Sequence, residues 1–267
     1  MAQYDLTSNP PEISVIVAVL NSSKTISRCL DSIVFQSYPY TEVIVMDGGS
    51  TDGSATIIRS YQEKITYFES APDKGIYHAW NKAIKQSHGE WMCFLGADDF
   101  FWDTKVLSEI SPHLEDAWSK KIRVVYGQVA KIDSSGKHKK MIGKPWHKIR
   151  WLMPHGMPFN LPHPGLMHHR SLFEEKGLFD ENFRIAGDYE FLLRELKDGN
   201  AYFVDGLCTV GSAIGGLADA SRLETNREVN RARRKNGLTG FSLIWAAVYF
   251  RAWVRKFCHD LFIKERR

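Results

Sequence analysis

Apolar positions follow two alternating rhythms over the first hundred residues of this chain. Ile13–Leu20 (ISVIVAVL) and Glu42–Met46 (EVIVM) are near-continuous apolar runs rich in Val and Ile, the pattern of strands buried on both faces. Ile65–Glu69 and Trp91–Leu95 repeat it in shorter form. Between these runs, Ile26, Leu30, Ile33 and Val34 recur at helical spacing, as do Ile76, Ala79, Trp80, Ala83 and Ile84. Ala55–Tyr61 predicts another short helix, and Asn21-Ser22-Ser23 offers caps for the first helix. Strands alternating with helices through short loops predict βαβ units. The expected class is therefore α/β, with a Rossmann-like, mostly parallel sheet and helices on both faces.

Beyond residue 103 the rhythm changes. Thr104–Ala117 predicts a helix, and Arg123–Ile132 with His138–Ile142, joined at Ser134-Ser135-Gly136, predicts a hairpin. Residues 144–170, rich in Pro, His, Met and Trp, show no period, and their first part is the expected functional loop. Ser171–Lys176 and Tyr189–Leu196 read as helices and Ala201–Val204 as the last strand. Residues 211–240 are Gly-rich and then Arg-rich, and read as a linker. Phe241–Ile263 predicts a final helix with Leu243, Ala247, Phe250, Val254, Phe257 and Leu261 on one stripe and Arg251, Arg255 and His259 roughly opposite. The division expected is one domain over 1–210, its halves meeting near 103, and an appendage over 211–267.

Charge sharpens that division. The net charge is +4, yet residues 222–267 hold twelve Lys/Arg against four Asp/Glu, leaving the rest of the chain acidic. No motif that reads DNA or RNA is present, so nucleic acid is not an expected partner. An amphipathic helix with basic residues suits an anionic membrane surface, and Arg231, Arg233, Arg234 and Lys235 add to its charge. A helix docked on the domain, or paired with its twin in a homodimer, is the alternative. The first twelve residues show no apolar signal segment, and no run of about 18 apolar residues occurs. Four scattered cysteines without CxxC spacing read as reduced thiols. The expected setting is cytoplasmic, peripheral on the inner face of the cytoplasmic membrane.

Two acidic loops follow strands: Asp47 closes the second, and Asp98-Asp99 close the fourth. Ligands of open α/β sheets bind at the carboxyl ends of strands. With neither GxGxxG nor GxxxxGK[ST] present, phosphates would need a divalent cation held by such acids. The alternative is that Asp98 caps a turn and Asp99 is solvated. Asp188 could be a proton acceptor or the N-cap of the helix that follows it. Lys74 could reach phosphate or be solvated, and Asn81 could bind a ligand or merely lie on a polar face. Tyr77 and Trp80 suit the core or a pocket wall. Within LPHPGLMHHR, His163 is the histidine most suited to face a site; His168 and His169 are less so.

In order, SVIVAVLN, VIVMDGGSTDGS, DKGIYHAWNKAI, GEWMCFLGADD and AGDYEFLLR resemble a family 2 glycosyltransferase with the GT-A fold, over about residues 12–205. The likeness is nearest to the bacterial branch that builds O-antigen, capsule and exopolysaccharide units. It implies a nucleotide-diphospho-sugar donor (UDP- or GDP-linked), Mn²⁺ or Mg²⁺, inversion at the anomeric carbon, and a lipid-linked saccharide acceptor. Residues 12–103 would form the donor half and 104–210 the acceptor half. By position, Asp47 resembles the base-binding aspartate, and Val19 and Asn21 line the nucleotide beside Lys74 and Asn81. Asp98 is similar to the second acid of the DxD motif, a metal ligand, with Asp99 as its partial substitute for the acid missing at Gly96. Gly48 and Gly187 likewise stand where relatives carry acids. Asp188 resembles the catalytic base, with His163 and Glu190 on the acceptor side. A sugar nucleotidyltransferase is the competing chemistry, but it would want a Gly-rich basic loop where Asn21-Ser22-Ser23 stands. A scaffold that has lost catalysis is the other alternative.

Overall fold

The computed structural model describes residues 12–133, 136–155, 161–214 and 222–238, together with 246, 247 and 250. Four strands, β1 (Ile13–Val19), β2 (Thr41–Asp47), β3 (Tyr67–Ser70) and β4 (Trp91–Gly96), alternate with the helices α1 (Ile26–Val34), α2 (Ser54–Arg59) and α3 (Ile76–Gln86). All four strands run parallel in the order β3-β2-β1-β4. Every odd residue of β1 from Ile13 to Val19 joins the apolar layer under α1, while Ile16 joins the layer under α3. Burial on both faces explains why β1 reads as an unbroken apolar run. Each such Val or Ile contributes roughly 1.5–3 kcal/mol of transfer free energy.

The sheet then changes grain. After β5 (Phe100–Phe101) and α4 (Val106–Ser119), the hairpin β6 (Val124–Ile132) and β7 (His138–Ile142) forms as expected. A short helix α5 (Trp146–Ile149) and a 3₁₀ turn (Arg150–His155) follow. Strand β8 (Met167–His169) pairs antiparallel with both β4 and β6, β9 (Tyr202–Ala213) pairs parallel with β6, and β5 pairs antiparallel with β9. The parallel grain is thus confined to β1–β4 and to the β6–β9 pair. Helices α6 (Arg170–Lys176), α7 (Gly187–Leu196) and α8 (Arg222–Lys235) complete the described chain.

Four local expectations are corrected. Asn21-Ser22-Ser23 do not cap α1 through their side chains. Asn21 takes a left-handed conformation (φ 48°), its Oδ1 accepts the Thr51 N–H at 2.9 Å, and the Ser22 and Ser23 amides donate to Ser54 and Asp52. The last strand runs on to Ala213; Gly206 at φ 77° and two register shifts against β6 break the alternation that would have marked its full length in the sequence. Part of the supposed linker is helix α8, docked through buried Val229 and Ala232. Its charge is partly spent on docking. Arg231 donates to the Asn182 carbonyl and lies 4.0 Å over the Phe183 ring, Lys235 pairs with Asp180 and Glu190, and Arg233 is buried. Of the four basic residues expected to serve a membrane surface, Arg234 alone is exposed without a described partner. The predicted Phe241–Ile263 helix lies outside the described residues except at 246, 247 and 250, which are helical. No described helix is long and apolar enough to cross a membrane.

Candidate active site

Register places the carboxyl ends of the parallel strands side by side: Val19 opposite Asp47, Asp47 opposite Ser70, and Ala18 opposite Gly96. The strand order reverses between β1 and β4, which is where ligands enter open α/β sheets. Asp47 is fully buried here. It accepts from the Ser50 amide at 3.2 Å, from the Ser50 hydroxyl, and from the Ser70 hydroxyl at 2.5 Å. Its neighbour Val19 accepts the Gly48 N–H at 2.9 Å, tying the two loops together. Lys74 is exposed, with no partner among the described residues. Asn81 is turned elsewhere. Its amide donates to the Phe179 carbonyl and to Glu181 at 2.9 Å and accepts the Phe179 N–H at 3.0 Å, so it clamps a loop.

One carboxylate at this rim escaped the sequence reading. Asp73 Oδ1 is held by His78 Nδ1 and Lys82 Nζ, both at 2.8 Å, while Oδ2 is buried without a hydrogen-bond partner among the described residues. A Cβ on Gly48 would stand 3.7 Å from that oxygen. A buried carboxylate oxygen without a donor is costly, and a ligand hydroxyl or N–H would relieve it.

The two acids after β4 divide their labour, in the reverse sense of the capping alternative. Asp99 turns inward. Its Oδ2 accepts the Gly96 N–H at 3.1 Å, and burial, then the charge of Asp98, pushes its pKa up to about 6. Ser212 donates to it, and Lys131 Nζ donates to Ser212 at 2.9 Å. Asp99 is therefore the turn cap. Asp98 is partly exposed, and its carboxylate has no hydrogen-bond partner among the described residues; Arg28 binds its backbone carbonyl instead, at 3.1 Å. A Cβ on Gly96 would lie 2.9 Å from Asp98 Oδ1 and 3.1 Å from Asp99 Oδ2. The absence of a side chain at Gly96 thus leaves room for these two carboxylates to fold back over the strand end.

Lys131 also lines a cavity of about 280 Å³ with Asp188 and His163, walled by apolar groups such as Val129, Leu161 and Leu192. Asp188 is not the cap of α7. Ala186 occupies the N-cap position without a side-chain cap bond, and Asp188 lies in the first turn. Its Oδ1 accepts the Tyr189 N–H at 2.8 Å, with the Tyr77 hydroxyl 3.3 Å away; Oδ2 has no partner among the described residues. Burial pushes the Asp188 pKa up to about 6. The Tyr77 hydroxyl accepts the Gly187 N–H and donates to the Ile185 carbonyl, both at 2.8 Å. A Cβ at Gly187 would come within 2.7 Å of the Tyr77 ring, so a side chain at this position would collide with that ring.

His163 stacks on Trp80 at 5.1 Å, and burial pushes its pKa down to about 3, so it meets the cavity as a neutral ring. Glu190 is corrected. It is almost wholly buried and does not line the cavity; Arg194, Lys235 and Asn236 hold its carboxylate. His168, also fully buried, packs among Phe94, Phe173 and Phe191. Among the described residues no group of three His, Cys, Asp or Glu could hold a metal ion by itself. The residues present fit a hard divalent cation that takes one or two carboxylates from protein and the rest from phosphate, with Asp98 as the available ligand.

A sheet with an acid at each of two strand mouths and a separate carboxylate over a cavity can hold a metal-bound phosphate ligand on one side and offer a proton acceptor on the other. The profile of Glycosyl transferase family 2 matches residues 14–177, and the chain belongs to that family. It is a glycosyltransferase. A PGL/p-HBAD biosynthesis glycosyltransferase of Mycobacterium bovis (strain BCG / Pasteur 1173P2) is 27% identical over 187 residues, 69% of either chain. An uncharacterized glycosyltransferase of Rickettsia typhi is 30% identical over 199 residues, 72% of this chain and 61% of its own. Two solved structures share the fold. Staphylococcus aureus TarS 1–349 in complex with UDP-GlcNAc has a TM-score of 0.66 at 19% identity, covering 89% of this chain and 69% of its own. The mannosyltransferase PcManGT from Pyrobaculum calidifontis, in complex with GDP-Man and Mn²⁺, also has a TM-score of 0.66, at 20% identity, covering 92% and 69%.

Proposed function

We propose that this glycosyltransferase moves a sugar, with inversion, from a nucleotide-diphospho-sugar to a hydroxyl of a lipid-linked saccharide. The observation that carries the reading is Asp188: one oxygen fixed by an amide, the other without a described partner on a carboxylate lining a cavity. In this reading the acceptor hydroxyl enters that cavity. Its oxygen bonds to the anomeric carbon as its proton passes to Asp188 Oδ2, and the bond to the diphosphate breaks on the opposite face. Asp98 would hold Mn²⁺ or Mg²⁺, which when bound neutralises charge on the departing diphosphate. Asp47, with Val19 and Asn21 behind it, would shape the nucleoside side. Asp73 Oδ2 would accept from the nucleoside, and Lys74 is free to swing onto phosphate.

Incubation with UDP-N-acetylglucosamine and with GDP-mannose tests the activity, since water can replace the acceptor. Slow release of sugar from one of them, dependent on Mn²⁺ or Mg²⁺, is the expected result. Pyrophosphate release from a nucleoside triphosphate and a sugar phosphate would instead mark a nucleotidyltransferase. Binding of nucleotide without any turnover would mark a scaffold.

The acceptor's lipid anchor is the reason we place the enzyme on an anionic membrane, in surface polysaccharide synthesis. Support comes from residues 251–267, which add Arg251, Arg255, Lys256, Lys264, Arg266 and Arg267 beyond the docked helix. Cosedimentation with liposomes tests this. Binding to phosphatidylglycerol vesicles at low salt, lost at high salt, is expected. A protein that stays in the supernatant at low salt refutes the membrane placement, and a mass of two chains in solution would favour the homodimer.

A further inference from the structure

Helix α8 lies beyond residues 14–177, the span the family profile matches, yet one of its side chains holds the segment that carries Asp188. The Glu228 carboxylate accepts three consecutive backbone N–H groups, from Arg184 at 2.9 Å, Ile185 at 2.8 Å and Ala186 at 2.9 Å. These are the amides of the turn that leads into α7 and of its N-cap residue; a side-chain cap would serve the amides just inside the helix instead. The residue in the cap position, Ala186, cannot supply one, and Asp188 spends its bonded oxygen on Tyr189. The turn before the helix is therefore held from another helix, some forty residues further along the chain.

On the opposite side the Tyr77 hydroxyl takes the next amide, that of Gly187, and bonds the Ile185 carbonyl. Residues 184–187 are thus held between a carboxylate from α8 and a phenol from α3. Further ties of α8 and of the residue after it reach the same region: Arg231 to the Asn182 carbonyl, Lys235 to Asp180, and Asn236 to Glu190.

We infer that Glu228 is a positioning residue for the transfer reaction: it sets the backbone from which Asp188 reaches the acceptor hydroxyl, so the C-terminal segment completes the catalytic centre. This rests on the reading of Asp188 as the base. A misplacement of about 1 Å at such a group can cost ~10²-fold in rate, whereas the donor side is built from β1–β4 and should not feel the change. Glu228 also acts by charge. Its carboxylate disfavours ionisation of Asp188, which in addition faces Tyr77 from α3 and shares its cavity with Lys131 from β6 and the neutral ring of His163.

The test uses the full chain and hydrolysis of whichever of UDP-N-acetylglucosamine and GDP-mannose the wild type turns over. Glu228→Ala should lower kcat by about ten- to a hundred-fold with the donor KM unchanged. In an Asp188→Asn background the same substitution should cost almost nothing more, because both act through one group. Glu228→Gln keeps an acceptor oxygen and should recover much of kcat. It should also move the acid limb of the kcat–pH profile to lower pH, an effect that loss of folding does not produce. Should Glu228→Ala unfold, the Glu228→Gln profile decides alone. Unchanged kcat in Glu228→Ala, full additivity with Asp188→Asn, or an unmoved limb in Glu228→Gln each overturns the inference. If Asp188→Asn itself is fully active, it is the reading of Asp188 that has failed, and the two failures are told apart.

Discussion

Asp188→Asn is expected to cut turnover by roughly 10²–10⁴, the usual cost of losing a general base, while nucleotide affinity stays near that of the wild type. The amide keeps an oxygen for the Tyr189 N–H, so the first turn of α7 should survive. It has nothing to accept a proton with. The pH dependence gives a second signature. Burial raises the Asp188 pKa to about 6, and the base works only when ionised. Activity should therefore be full above about pH 6 and fall as pH drops through it, rather than near 4, where a solvated carboxylate titrates. Stability runs the other way for this group. Its folded pKa lies above its unfolded one, so ionising it between about pH 4 and 6 weakens the fold slightly as pH rises. Near-normal turnover in Asp188→Asn would contradict the role. Glu190, fixed by Arg194 and Lys235 away from the cavity, offers no substitute.

Asp98→Ala is expected to abolish transfer and to remove the metal dependence of nucleotide binding, with the fold intact. No described hydrogen bond ends on the Asp98 side chain, so nothing structural is lost with it. Asp99→Ala should behave differently. It removes the acceptor of the Gly96 amide and a partner of Ser212, so the loss should appear first in melting temperature. Calorimetry together with titration of UDP or GDP in the presence and absence of Mn²⁺ separates the two variants. A larger loss of metal-dependent binding in Asp99→Ala than in Asp98→Ala would exchange the assignments.

The donor half was legible because β1, β2 and β4 are buried on both faces and its helices on one. Hydrophobic pattern alone then gives β1, β2 and β4 nearly to the residue, while the half-exposed β3 starts two residues later than its apolar run, and acids at strand ends mark the rim. Where long-range pairing decides, the pattern is mute. β8 carries His168 and His169, polar letters that become a neutral strand only because Phe94, Phe173 and Phe191 surround His168. β9 hides behind Gly206 and its register shifts. α8 looks like linker because its apolar contact is narrow and its surface is mostly polar and charged, part of it paired with α7 and the loop before it. Resemblance pointed to Asp188 and Asp98, and the geometry leaves a free oxygen on the one and a free carboxylate on the other. It also pointed to Asn81, and Glu190 was the other acceptor-side candidate; the polar atoms of both are engaged by the protein itself. No local signal marks Glu228, and Asp73 heads the DKGIYHAWNKAI stretch without standing out from it. Their meaning lies in the amides and the empty valence they meet in three dimensions.

The measurement that bears most directly on the central claim is a crystal structure of the chain with Mn²⁺ and the nucleotide of the sugar donor it hydrolyses. The expected result is a metal ion between the diphosphate and the Asp98 carboxylate, the nucleoside against Val19, Asp47 and Asp73, and Asp188 Oδ2 facing the open side of the sugar position. A nucleotide bound away from the β1–β4 rim, or one that reaches neither Asp98 nor the cavity of Asp188, would contradict it.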